Sequence, residues 1–127
     1  MMYSHIMLGA DDIEASRKFY DATLGALGYR PGRMDDRGRV FWMDKAGVFS
    51  ITKPIDGKPA SGGNGSTVGF AVSGPEQGDA WHKAGLENGG TSIEDPPGVR
   101  ESATGSKYLA YLRDPAGNKL CVLHNIS

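Results

Sequence analysis

Three histidines and one cysteine hold most of this chain's capacity for chemistry: His5, His82, His124 and Cys121. Imidazole and thiolate bind borderline and soft divalent ions, and a His/carboxylate set with open positions suits an ion that polarises a bound oxygen. His5 opens the apolar run Ile6-Met7-Leu8, and Cys121 sits within Asn118 to His124, so both are expected on strands. His82, between Trp81 and Lys83 on a helical stretch, is expected at the surface or its boundary, and His124, near the chain end, is expected to be exposed. No Ser-His-Asp or Cys-His-Asn order is recognisable from the spacing. The glycine-rich run Gly62 to Gly65 lacks the lysine and the strand–loop–helix setting of a phosphate cradle.

The elements that position these residues follow from an internal repeat. His5 to Gly28 and Thr67 to Gly90 align without a gap at an offset of 62, which pairs Glu14 with Glu76, Phe19 with Trp81, Ala22 with Ala84 and Leu24 with Leu86. Further on the offset is 70: Phe41 meets Tyr111, Asp44 meets Asp114 and Gly47 meets Gly117. The change implies an insertion of eight residues, placed in a loop around Asp95 to Gly105.

Each half reads as a strand, a helix and further strands. Asp11 or Asp12 is the expected N-cap of the first helix, with Ile13, Phe19, Ala22 and Leu24 on its apolar face and Gly25 and Gly28 at its end. Ser73 is the expected cap of the second helix, followed by Pro75, an apolar side of Trp81, Ala84 and Leu86, and a stop at Gly89-Gly90. Strands are predicted over Arg39 to Met43, Gly47 to Lys53, Lys107 to Arg113 and Asn118 to His124. The order β-α-β-β-β thus occurs twice. The predicted fold is α+β: two tandem βαβββ modules forming a curled mixed sheet around a cleft, with helices on the outside. One domain spans residues 1–127, with module one at about 3–54, a Gly/Pro-rich linker at about 54–66 and module two at about 66–127.

Composition narrows the function. Fourteen Lys and Arg against 15 Asp and Glu give a net charge of −1, without the basic excess of a nucleic-acid binder or a pull toward anionic membranes. A single cysteine excludes an internal disulfide. The opening Met1-Met2-Tyr3-Ser4-His5 has no basic, then apolar, signal pattern, and a cytoplasmic protein is the expectation. Nineteen glycines are scattered without a period, as turn punctuation between short elements.

Ser4-His5-Ile6-Met7-Leu8, the fragment Ser16-Arg17-Lys18-Phe19-Tyr20 with Leu24-Gly25, and the closing turn Asp114-Pro115-Ala116-Gly117-Asn118 resemble the vicinal oxygen chelate superfamily. That superfamily comprises glyoxalase I, bleomycin- and fosfomycin-resistance proteins and extradiol dioxygenases, and the likeness is to its small bacterial glyoxalase-like members. It implies a metal quartet of two His and two Glu, or two His and one Glu, on the first and last strands of each half. Mapped here, the seats are His5, its repeat partner Thr67, Cys121, and Ile51 (Ser50 or Thr52 if the register slips by one). Only His5 and Cys121 are potential metal ligands, so no cofactor is expected, and a divalent ion on this pair is the alternative.

Strand alternation, with one residue of ambiguity per strand, puts His5 and Met7 on one face, and Thr67, Gly69 and Ala71 on another with Cys121 and Leu123. Of the aromatic residues Phe41, Trp42, Tyr108 and Tyr111, those facing inward could stack on a flat ligand, while Lys53, Arg100 and Glu101 could add polarity at the mouth. The expected ligand-binding residues are His5, Met7, Trp42, Ile51, Thr67, Gly69, Tyr108, Tyr111 and Cys121. Three functions compete. The first is a small-molecule binding protein of the bleomycin-resistance type with a degenerate metal site. The second is a lyase, isomerase or dioxygenase-like enzyme (lactoylglutathione-lyase-like) using His5 and Cys121. The third is a dimeric interaction protein with a filled cleft. The expected partners are a small molecule and a second copy in a homodimer, with no nucleic acid and no membrane.

Overall fold

The computed structural model describes residues 2–127; Met1, the start of the opening stretch, lies outside them. The first repeat runs β1 (Ile6–Gly9), α1 (Ile13–Ala26), β2 (Arg33–Met34), β3 (Val40–Asp44), β4 (Gly47–Thr52). The second runs β5 (Val68–Ala71), α2 (Pro75–Glu87), β6 (Thr91–Ser92), β7 (Gly98–Ser102), β8 (Gly105–Arg113), β9 (Lys119–Asn125). Two mixed sheets result, ordered β1-β4-β3-β2 and β5-β9-β8-β6, and β7 also pairs with β8. The fold is α+β. The insertion in the second repeat differs from expectation, because its residues form β7, antiparallel to β8, rather than an open loop. The Arg100 guanidinium holds this strand's approach in place by donating to the carbonyls of Asp95, Pro96, Gly98 and Leu109.

Local chemistry sets the helix ends. The Asp12 side chain caps α1 by accepting from the Ala15 N–H at 3.0 Å. At the other end Gly28, at φ 95°, lets the chain turn back, and the Tyr29 N–H closes on the Leu24 carbonyl at 3.0 Å. In α2 the cap is Gly74 rather than Ser73. Ser73 stands one residue earlier, where its own N–H donates to Gln77 Oε1 at 2.8 Å.

The two helices pack on each other, and one apolar cluster takes residues from both repeats, among them Phe19, Tyr20 and Leu24 of α1, Trp81 of α2, Ile51 of β4 and Leu112, Leu120 and Val122 of the second sheet. On α2 the buried face is Gly78, Trp81 and Gly85, and Leu86, expected inside, is 46% exposed. The reason is close approach: a Cβ at Gly78 would overlap the Tyr108 ring, and one at Gly85 would overlap the Leu112 side chain. Small residues therefore face β8, and Leu86 is rotated outward.

Ladder hydrogen bonds run within each sheet and side chains bridge the two. The Phe49 and Phe70 rings meet edge-on at 5.4 Å, and Asn118 Nδ2 donates to the Gly9 carbonyl at 2.9 Å. Residues 53–67 carry neither helix nor strand. They are nevertheless packed: the Ala60 N–H donates to Asp11 Oδ1 at 2.7 Å, and Gly62 abuts the Gly117 carbonyl so closely that only glycine fits. Among the described residues no helix is long and apolar enough to cross a membrane.

Candidate functional site

Register decides which side chains share a face, because residues directly opposite in a ladder point to the same side of the sheet. In the first sheet Met7 faces Ser50, and Ser50 faces Phe41. In the second, Gly69 faces Cys121, and Cys121 faces Tyr111. The rows Phe41–Ser50–Met7 and Tyr111–Cys121–Gly69 are repeats of one another, and both lie on the side of their sheet away from the helices. The repeat partner of Cys121 is accordingly Ser50, at an offset of 71, and not Ile51. The extra residue enters at the hairpins: four residues lie between the paired Met43 and Val48, whereas five lie between the equivalent pair Arg113 and Lys119.

Ile51 therefore turns to the helix side, where it is fully buried in the core. Tyr108 lies on the same side, 2% exposed, and donates to Asp79 Oδ1 of α2 at 2.6 Å. Neither is within reach of a ligand on the outer rows. Thr67 is exposed just before β5, and His5 is exposed just before β1, with Nδ1 2.8 Å from the Ser4 hydroxyl. The Ser50 hydroxyl is fully buried and donates to the Ile6 carbonyl at 2.9 Å. Burial pushes the Cys121 thiol up, with Glu94 adding to the rise and Lys119 opposing it, so the sulfur stays protonated at neutral pH. Tyr111 is raised by burial in the same way, with Lys119 Nζ 5.1 Å from its ring centre. Among the described residues no three His, Cys, Asp or Glu side chains gather into a set able to hold an ion. His82 Nε2 lies 3.1 Å from the Ser92 hydroxyl, and His124, expected to be exposed, is half-buried with Nδ1 3.2 Å from the Val72 carbonyl.

The helix side of the first sheet holds a cavity of about 270 Å³. Leu24, Trp42 and Phe49 form its buried floor, Tyr29, Val68 and Phe70 stand on its walls, and Ser4, His5 and Asp44 are exposed at its rim. Trp42 is fixed there by its Nε1–H, which donates to Asp21 Oδ1 at 3.0 Å, and by its contact with the Phe49 ring at 5.9 Å. The structure thus brings His5, Trp42 and Gly69 to this cavity and leaves Met7, Tyr111 and Cys121 on the outer rows. Tyr29, Phe49, Phe70 and Asp44 were not anticipated here. The available signal was the set of aromatic residues whose alternation points toward the helices.

The family model of the Glyoxalase/Bleomycin resistance protein/Dioxygenase superfamily matches residues 3–122. The chain belongs to this superfamily. The crystal structure of a glyoxalase/bleomycin resistance protein from Albidiferax ferrireducens T118 is 58% identical, with a TM-score of 0.95 over 98% of this chain and 100% of that one. More distant superfamily structures share the fold. One is a glyoxalase-related enzyme from Fulvimarina pelagi (18% identity, TM-score 0.74, 98% of this chain and 88% of that one). Another is a glyoxalase/bleomycin resistance protein/dioxygenase family enzyme from Burkholderia phytofirmans PsJN (17% identity, TM-score 0.73, 97% and 98%). No curated protein matches the chain.

Proposed function

We propose that the protein is a small-molecule-binding member of the superfamily whose cation seats have lost their ligands. The reading is carried by the chemistry of the four seats, which are occupied by His5, Thr67, Ser50 and Cys121. Catalytic zinc sites take about three protein ligands. Here one imidazole stands with two neutral hydroxyls, of which Ser50's is already committed to the Ile6 carbonyl, and a thiol that burial keeps protonated. These residues do not fit a divalent cation. What the outer rows offer is an apolar surface of Met7, Phe41, Gly69, Ala71 and Tyr111, flanked by Arg39 over the Phe41 ring and Lys119 over the Tyr111 ring. The rows carry exposed Met7 and Gly69 beside buried Ser50 and Cys121; a second copy laid over the exposed residues completes the concavity as a homodimer, and the lone unpaired cysteine suits the cytoplasm.

Metal content tests the reading. Protein purified without a histidine tag is expected to hold well under one equivalent of Zn, Ni, Fe or Mn, and its Tm is expected to be unchanged by a chelator. One equivalent of bound ion in the wild type, lost in His5→Ala, would overturn the proposal in favour of the metal-dependent enzyme.

A further inference from the structure

The cavity on the helix side adjoins the outer rows and seats only at its rim, where His5, Val48 and Gly69 line it. Its floor residues Trp42 and Phe49 alternate along β3 and β4 with Phe41 and Ser50, so the two sets lie on opposite faces of one sheet. Met7, Phe41, Ser50, Tyr111 and Cys121 do not touch it. An apolar cavity of roughly 150 Å³ accommodates a benzene ring. A space of about 270 Å³ therefore has room for one ring and a short chain.

We propose that this cavity is a second ligand site, taking a single-ring aromatic molecule with a short protonated amine arm. The buried floor supplies three apolar side chains, Leu24, Trp42 and Phe49, and Phe70 closes the side against the Phe49 ring. These surfaces favour a flat ring. The rim sets the sign of charge. Among the described residues Asp44 is the one carboxylate on the wall, and neither Lys nor Arg lines it. Asp44 Oδ1 accepts the Ala46 N–H at 2.6 Å, which fixes the carboxylate at the β3–β4 turn and leaves its other oxygen to meet an ammonium. With Nδ1 facing the Ser4 hydroxyl, His5 presents Nε2 as a second polar contact. A ligand carboxylate or phosphate would meet Asp44 with neither Lys nor Arg of the described residues to offset it, so anions are disfavoured.

The test is a titration of the full chain with phenethylamine and, in parallel, with 3-phenylpropionate, followed by calorimetry and by tryptophan fluorescence. The expected result is one phenethylamine per chain, a change in emission from Trp42, and binding at least about tenfold tighter than that of the carboxylate. Val68→Phe, which fills the wall, is expected to abolish binding. Asp44→Asn, at an exposed turn where the amide oxygen can still accept from Ala46, is expected to keep the fold and cut the preference for amine over carboxylate by about five- to tenfold. Three results would each overturn the proposal: equal or tighter binding of the carboxylate, a preference unchanged in Asp44→Asn, or no binding of the amine at millimolar concentration. Amine binding that survives in a folded Val68→Phe would overturn the placement in this cavity. His5 is common to this rim and to the metal seats, and the metal test, read as ion content, is distinguishable from these titrations.

Discussion

The Tyr20 phenol, on the helix of the first repeat, donates a 2.5 Å hydrogen bond to Asp114 Oδ2, in the closing turn of the second. Both groups are buried, and Asp114 also accepts from the Ala116 and Asn118 N–H groups and from Asn118 Nδ2. These partners offset the cost of burying the Asp114 carboxyl group. Burial first, and then the Asp114 charge, push the Tyr20 hydroxyl well above its ordinary value.

Tyr20→Phe removes one charge-assisted bond and is expected to cost about 1.5–3 kcal/mol of stability. Because the folded-state phenol holds its proton above the ordinary value of 10.0, the contribution is present below that pH and is lost as pH rises through the folded value. Urea titrations of wild type and variant at neutral and alkaline pH check both points. A difference in stability that is absent at neutral pH would contradict the assignment.

Gly78→Ala puts a methyl group into the Tyr108 ring and is expected to destabilise by about 1–3 kcal/mol. Gly25→Ala, in α1, meets open space and is expected to stabilise by about 0.5–1 kcal/mol. Opposite signs in the two urea midpoints would establish that α2, and not helix propensity, sets the first cost.

Burial holds the His82 imidazole below its ordinary value of 6.5, against the opposing pull of Asp79. The unfolded chain therefore takes up this proton first, and stability is expected to fall as pH drops through the ordinary histidine range toward the lower folded value. His82→Gln, which can keep a bond to Ser92, is expected to flatten that part of the profile. An identical slope in the variant would place the dependence elsewhere.

Cys121 is 8% exposed and its thiol is raised by burial. Alkylation by iodoacetamide at neutral pH is expected to be at least about tenfold slower than in the urea-unfolded chain, and to speed up as pH rises. A rate equal to that of the unfolded chain would mean a reactive thiolate at this position.

Much of this architecture was legible in the residues. The repeat offset of 62 located both helices and both opening strands, because capping residues, glycine stops and apolar spacing act locally. The second offset of 70 held as far as β8, where Val40 and Trp42 correspond to Ala110 and Leu112 on the helix side. It then failed by one residue at the hairpin, and a slip of one moves a side chain through the sheet. Ser50 therefore replaces Ile51 at the seat. The cavity was hidden for a different reason. It depends on how Tyr29, Phe49, Phe70 and the segment before β1 meet in space, and none of these is close to the others along the chain except through folding. Leu86 was misplaced because glycine, which carries no hydrophobic signal, makes the closest helix–sheet contact.

The shared interior has a consequence for how such a chain could arise and come apart. Since Phe19 of one half packs beside Gly85 and Gly90 of the other, neither half owns a complete interior. An isolated repeat would show its helix's oily flank to water and persist only by joining a twin. Heat or urea is therefore expected to dismantle both halves in a single transition.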